Sequence, residues 1–411
     1  MVQTRRLPFL AVLATVLTAG TVPAGKPDDA GMSAERLERI HQSIARHIDA
    51  GEISGAVTLV ARRGRMVHFE AHGLMDIESK RPMEKDAIFR IASMSKPITA
   101  VAVMMLVEEG KIRLSDPVSK FIPEFKDMKV AVPRQSADPS APAFYTIPAD
   151  RELIIHDLLT HTNGLLTWGS KQPPFPRPKE GETLATYVPR LAAAPLDFQP
   201  GTQWAYSGLA GPDILSRIVE IVSGQTYDQF LRARLFEPLG MKDTFFYPPD
   251  DRRPRMVTLY QKSPNGLEKS ANQDGFSLKS YYSGAGGLMS TAEDYLQLAQ
   301  MLLDGGTLNG KRFLSPRTVE LMASNHVGDM FNGKLGRPAH GMGFGLLMAV
   351  VQDSVAAGLR VSNGSFGWDG AYGTQTWIDP KEKMVTIIML QTQVPQIQRD
   401  FENAVMQAIV E

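Results

Sequence analysis

A serine and a lysine stand three residues apart at the start of an apolar segment. They are Ser93 and Lys96 in the tetrapeptide SMSK, and the run 98–107 predicts a buried helix that stops at Gly110. Residues three apart share a helix face, so the lysine amine can lie beside the serine hydroxyl and take its proton. The free N–H groups of a helix start also favour an oxyanion there. The pair predicts a serine nucleophile with a lysine base, with an ordinary N-cap serine as the alternative.

Acyl transfer through a serine also needs a second proton carrier and an oxyanion site. Tyr206 lies in a loop before the predicted helix 212–222 and is the candidate proton carrier, with a plain core tyrosine as the alternative. The segment 367–371 (GWDGA) comes just before a predicted strand. From there the backbone N–H of Ala371 can face the serine and complete an oxyanion hole.

Other hydrolytic chemistries have little support in the sequence. It contains no G-x-S-x-G segment typical of a nucleophile elbow and no H-E-x-x-H metal motif. His156 and His161 are five residues apart, and we interpret both as structural. The chain has no cysteine, which excludes a thiolate nucleophile and a Cys-ligated metal.

Hydrophobic periodicity predicts the elements that must position these residues. Ser33 caps an amphipathic helix that ends at Gly51, and a hairpin of strands 56–61 and 66–71 follows before the serine. Hairpins imply antiparallel pairing. The predicted fold class is therefore α/β (α+β), with an antiparallel β-sheet flanked by helices and a helical insertion.

The C-terminal part mirrors this order, with predicted strands at 374–378 and 384–390 followed by an amphipathic helix. We predict a discontinuous α/β sheet domain made of residues 25–110 and 285–411. Residues 111–284 are predicted to form a mostly helical insertion domain with Pro-rich loops.

The charge and the N-terminal segment limit the possible binding partners and the cellular location. Lys+Arg and Asp+Glu both number 44, and no long basic run appears, so nothing predicts nucleic acid as a partner. Residues 1–24 combine Arg5 and Arg6 with an apolar run and small residues, which predicts a signal peptide cleaved near Ala24. An uncleaved N-terminal anchor is the alternative. The mature protein is expected to be exported, periplasmic or secreted, without a stable membrane span, and its oligomeric state stays open.

Four segments together resemble the serine β-lactamase-like superfamily, which has the penicillin-binding protein and class C β-lactamase fold. They are, in order, residues 91–96 (IASMSK), 158–165 (LLTHTNGL), 204–207 (WAYS) and 283–292 (SGAGGLMSTA). Within that superfamily the chain most resembles family VIII carboxylesterases. The resemblance implies an α/β domain and a helical domain with the cleft between them, and it implies no metal or cofactor.

The resemblance also implies roles for single residues. Ser93 is then the acylated nucleophile, and Lys96 and Tyr206 are the proton-transfer pair. The backbone N–H groups of Ser93 and Ala371 form the oxyanion hole.

The chain departs from the penicillin-recognising enzymes at their K-T-G motif, where it has Trp368, Asp369 and Gly370. Trp368 offers an apolar wall in place of the lysine charge that faces a substrate carboxylate, which favours neutral esters over β-lactams. With these three residues, the aromatic Trp168 and Phe175 of the insertion are the candidate substrate-binding groups.

The predicted activity is hydrolysis of small carboxylic esters through an acyl-enzyme on Ser93. A β-lactamase or D-alanyl-D-alanine carboxypeptidase, and an acyltransferase that uses the same acyl-enzyme, are the enzymatic alternatives. A binding protein on the same fold is the non-enzymatic one.

Overall fold

The computed structural model describes residues 22–134, 143–170, 172, 175–275 and 278–411. The predicted signal peptide falls almost wholly on residues 1–21, which lie outside the described residues. Within the described ranges the helices are α1 (Ala34–Asp49), α2 (Ser95–Glu108), α3 (Ile155–Leu159), α4 (Leu184–Tyr187), α5 (Ala210–Ser223), α6 (Tyr227–Leu231), α7 (Glu237–Leu239), α8 (Ala292–Leu303), α9 (Pro316–Met322), α10 (Ser354–Ala357) and α11 (Pro395–Met406).

The strands of the same ranges are mostly short. They are β1 (Gly55–Arg62), β2 (Arg65–Asp76), β3 (Arg81–Pro82), β4 (Phe89–Arg90), β5 (Lys129–Pro133), β6 (Phe144–Pro148), β7 (Tyr260–Ser263), β8 (Gly266–Lys269), β9 (Met289–Ser290), β10 (Thr307–Leu308), β11 (Lys311–Arg312), β12 (Met342–Phe344), β13 (Ala349–Val351), β14 (Phe366–Asp369), β15 (Gln375–Asp379) and β16 (Met384–Met389).

One eight-stranded sheet organises the molecule, in the order β12-β13-β14-β15-β16-β1-β2-β3, and all its pairings are antiparallel. β1, β15 and β16 are buried along their whole length because helices cover both faces. Along β1, Val57, Leu59 and Ala61 pack into the core cluster that contains α2 and α8, whereas Ala56 and Val60 pack with α1 and α11. The predicted antiparallel sheet flanked by helices is confirmed.

The elements that precede the serine form as the sequence predicted. Ser33 caps α1 by accepting a hydrogen bond from the N–H of Arg36, and the turn at Arg63 and Gly64 joins β1 to β2. The C-terminal hairpin is β15 and β16, with α11 after it.

One strand boundary was predicted wrongly. Residues 367–369 were expected to precede a strand, but they belong to β14, which pairs with β13 and β15. Only Gly370 and Ala371 lie in the turn before β15. The alternation of small and large residues around Trp368 gave too weak a period-2 signal to reveal the strand.

The described part of residues 111–284 contains α3 to α7 and two small hairpins, β5-β6 and β7-β8. α5 packs against α2, so this helical part adjoins the helix that follows Ser93. Among the described residues, none of the helices combines the length and the apolarity needed to cross a bilayer.

Candidate active site

Ser93 lies on a tight 3₁₀ turn, Ala92–Met94, that leads directly into α2. Ala92 has a φ of +44°, in the left-handed region that side chains with a Cβ rarely adopt. This backbone conformation costs on the order of 1 kcal/mol of folding free energy and persists only where surrounding contacts hold it in place. Here the hydroxyl of Tyr295 on α8 donates a hydrogen bond of 2.9 Å to the carbonyl of Met94. The turn therefore presents the serine hydroxyl in a fixed direction.

Two proton-carrying groups converge on the oxygen of Ser93. The amine of Lys96 is 3.1 Å from Ser93 Oγ, and the hydroxyl of Tyr206 donates to the same oxygen at 2.8 Å. Lys96 is fully buried and also donates a 2.6 Å hydrogen bond to the carbonyl of Ala285. The structure thus brings together the three side chains that the sequence singled out. Either partner is close enough to receive the serine proton.

Sequence reasoning missed a buried acid that shapes this arrangement. Asp213 on α5 is 3% exposed and accepts hydrogen bonds from the hydroxyls of Tyr281 (2.8 Å) and Ser283 (2.7 Å) and from the N–H of Ala285 (3.2 Å). One carboxylate therefore fixes the loop whose Ala285 carbonyl orients Lys96. An acid within the apolar pattern of α5 was the available signal.

Burial raises the pKa of Asp213 to about 6, although its hydrogen bonds and the charge of Lys96 act in the opposite direction. Between the ordinary value of 3.8 and about 6, the folded state holds a proton that the unfolded state has lost, so stability falls as the pH rises.

We expect Asp213→Asn to remove this dependence. The free energy of unfolding of the wild type, relative to the variant, should decrease by about 3 kcal/mol from pH 4 to above pH 6. Urea unfolding of both proteins across that interval measures the difference. A difference that stays flat with pH would contradict a raised pKa.

Aromatic rings surround Tyr206. Its ring centroid is 4.8 Å from His161, 5.8 Å from Trp368, 6.2 Å from Trp168 and 6.3 Å from the stacked ring of Trp204. His161 is fully buried, and burial, with the charge of Lys96 in second place, lowers its pKa well below the ordinary range. His161 is therefore a neutral packing partner of the tyrosine. Trp168, in contrast, exposes 75% of its surface beside the site.

Phe175 has a different position from Trp168. Its ring packs edge-on against Tyr187 at 6.3 Å, and Tyr187 packs against Tyr281 at 5.5 Å. Among the described ring contacts, Phe175 has none with Tyr206. The structure thus places Trp168 beside Tyr206, whereas Phe175 packs against Tyr187.

The turn after β14 approaches the chain just before the serine. A Cβ on Gly370 would stand 2.4 Å from the carbonyl oxygen of Ile91, so only glycine permits this contact. The hydroxyl of Thr374 donates to the same carbonyl at 3.3 Å. Ala371, next to Gly370, is consequently held near the Ser93 turn.

Asp369 gains a partner that the sequence did not predict. Its carboxylate forms an ion pair with Arg337 and accepts a hydrogen bond of 3.0 Å from the amide of Gln375. The guanidinium of Arg337 lies 5.6 Å from the ring centroid of Trp368. A cation is therefore present beside this strand, and it is already neutralised by Asp369.

The chain matches the family profile described as Beta-lactamase over residues 40–410. It therefore belongs to the beta-lactamase family and is a hydrolase of the β-lactamase fold. Two curated proteins resemble it over most of their length. Protein Rv1367c of Mycobacterium tuberculosis (strain H37Rv) is 37% identical over 86% of this chain and 90% of that protein, and Esterase EstB of Burkholderia gladioli is 32% identical over 89% and 92%.

A solved structure agrees with this assignment. EstCE1, described as a hydrolase with promiscuous acyltransferase activity, superposes with a TM-score of 0.75 at 29% identity. The match covers 90% of this chain and 99% of EstCE1. The predicted resemblance to the β-lactamase-like superfamily and its esterases is confirmed.

Proposed function

We propose that this protein is a serine carboxylesterase that cleaves small, neutral carboxylic esters through an acyl-enzyme on Ser93. The observation that carries the proposal is the convergence of Lys96 Nζ and Tyr206 Oη on Ser93 Oγ, at 3.1 and 2.8 Å. A hydroxyl is a weak nucleophile until a neighbouring group takes its proton, and this geometry supplies such groups. The esterase relatives support the same reaction.

In the proposed reaction, Ser93 Oγ attacks the ester carbonyl while Lys96 takes the hydroxyl proton. The tetrahedral oxyanion accepts hydrogen bonds from the backbone N–H groups of Ser93 and Ala371. The C–O bond of the ester then breaks, and the proton passes through Tyr206 to the departing alcohol. Water, activated by the same pair, attacks the acyl-enzyme, releases the carboxylic acid and restores the serine hydroxyl.

We expect ester turnover to exceed β-lactam turnover. The kcat/KM for p-nitrophenyl acetate or butyrate should be about 100-fold or more above that for nitrocefin, because the nitrocefin carboxylate meets Trp368 and a cation, Arg337, that Asp369 already neutralises. Parallel spectrophotometric assays measure both values.

Asp369→Asn provides the matched comparison, since it leaves Trp368 in place and frees the charge of Arg337. In this variant the ratio of ester to nitrocefin turnover should fall. Comparable turnover of nitrocefin and esters by the wild type would instead assign the site to a β-lactamase.

Acyl transfer to an alcohol is the second candidate function, because EstCE1 is described with that side activity and the acyl-enzyme would be the same. The exposed ring of Trp168, 6.2 Å from Tyr206, offers an apolar surface for an acceptor. Hydrolysis of p-nitrophenyl butyrate in the presence of a short alcohol tests it. Formation of the new butyrate ester at the expense of butyric acid would show transfer.

A further inference from the structure

A cluster of two histidines and a glutamate lies away from the serine site. Glu70 and His72 lie on β2, where they pair with Thr58 and Ala56 of β1. Ala56 packs with α1 and α11, whereas the alternate residues of β1 pack with α2. Glu70 and His72 therefore point to the α1 face of the sheet, opposite to α2 and the serine. His41 on α1 completes the cluster.

The side-chain donor atoms of this cluster converge. His41 Nδ1 is 2.5 Å from Glu70 Oε1, His72 Nδ1 is 3.7 Å from the same oxygen, and all three ligand atoms lie within 4.8 Å of one another. The side chain of His72 is 2% exposed, and its Nδ1 is buried without a hydrogen-bond partner among the described residues. A buried polar atom left unpaired costs about 1–3 kcal/mol, and a bound ligand would remove this cost.

The hydroxyl of Thr58 links the rings of His72 and His68 by hydrogen bonds. The hydroxyl of Thr58 is 2.8 Å from His72 Nε2 and 2.7 Å from His68 Nε2. A hydroxyl has one proton, so it donates to one ring and accepts from the other. When His72 Nε2–H is the donor, Nδ1 keeps its lone pair and directs it towards Glu70. Ordered second partners of this kind orient the imidazole ligands of metal sites.

We propose that His41, Glu70 and His72 bind one zinc ion. Two imidazoles and a carboxylate are a zinc ligand set that leaves a fourth position for water. Donors around a tetrahedral zinc stand about 3.4 Å apart. His72 Nδ1 and Glu70 Oε1 are near that spacing at 3.7 Å, whereas the 2.5 Å hydrogen bond between His41 and Glu70 has to open to admit the ion. His41 exposes 48% of its side chain, so it has room to move.

The site would tie α1 to β2 and has no part in ester cleavage, because it lies on the opposite face of the sheet from α2. A ligand that binds only the folded state stabilises it by RT ln(1 + [L]/Kd). Zinc should consequently raise the melting temperature and leave the rate of ester hydrolysis unchanged.

Calorimetric titration of the untagged full chain with zinc chloride tests the proposal, after removal of metal with a chelator. We expect one zinc per chain with a micromolar or tighter Kd, and a rise in melting temperature. His41→Ala and Glu70→Gln should each weaken binding by about tenfold or more and abolish the thermal shift. Both side chains are partly exposed, so these variants are expected to fold.

Two further histidines provide matched controls. His340 is exposed elsewhere on the surface, and His47 has its two ring nitrogens engaged separately by Glu52 (2.6 Å) and Asp400 (3.0 Å). His340→Ala and His47→Ala should bind zinc as the wild type does. Substoichiometric binding by the wild type, or binding that survives loss of His41 and of Glu70, would overturn the site.

Discussion

Ser93→Ala is expected to lower the turnover of p-nitrophenyl butyrate by about 10⁴-fold or more, because it deletes the oxygen on which Lys96 and Tyr206 converge. Without that oxygen no acyl-enzyme can form. Intact-mass spectrometry after treatment with an organophosphonate ester provides a second readout. The wild type should gain the mass of one adduct and the variant none.

Ser95→Ala is the matched control, because Ser95 lies two residues after Ser93, at the start of α2. Ser95 is fully buried, and its Oγ accepts a hydrogen bond of 3.2 Å from the N–H of Leu288. Its loss should cost about 1 kcal/mol of stability and leave turnover within a few-fold of the wild type. Wild-type turnover in folded Ser93→Ala protein would refute the assignment. Loss of activity only in Ser95→Ala would place the nucleophile at Ser95.

The parts of the site that sequence could predict are those set by local geometry. Ser93 and Lys96 are one helical turn apart, so the spacing alone predicts that their side chains meet. Likewise, the alternation of side chains predicts the hairpins β1-β2 and β15-β16, and their shared antiparallel pairing predicts the sheet. Tyr206 was predicted on two grounds: acyl transfer needs a second proton carrier, and the sequence resembles the β-lactamase-like superfamily.

The parts that sequence could not predict are contacts between distant segments. Asp213 is joined to Ala285 across 72 positions, and Arg337 to Asp369 across 32. No periodicity or motif encodes such pairs, because they depend on how α5 packs against α2 and on how the loop before β12 meets β14. Each pair affects the charge near the site.

Burial of Asp213 lowers the free energy of unfolding at neutral pH, because the carboxylate is then charged in an apolar environment. Ser283, Tyr281 and the N–H of Ala285 compensate part of the desolvation of its carboxylate. In return, the loop keeps the Ala285 carbonyl 2.6 Å from Lys96 Nζ. Asp213 thus destabilises the folded protein but helps to hold Lys96, the proposed base, beside Ser93.

Lys96→Met and Lys96→Arg are expected to lower kcat/KM for esters by about 10³-fold or more. Methionine keeps most of the buried volume and removes the amine, whereas arginine keeps the positive charge but cannot give up its proton. If Lys96 acts as the base, both variants lose activity together. Ester assays and adduct formation with the organophosphonate measure the loss, and circular dichroism establishes that each variant is folded. A folded arginine variant that retained a large part of wild-type activity would show that the site needs only a cation beside Ser93, and the proton would then have to pass to Tyr206.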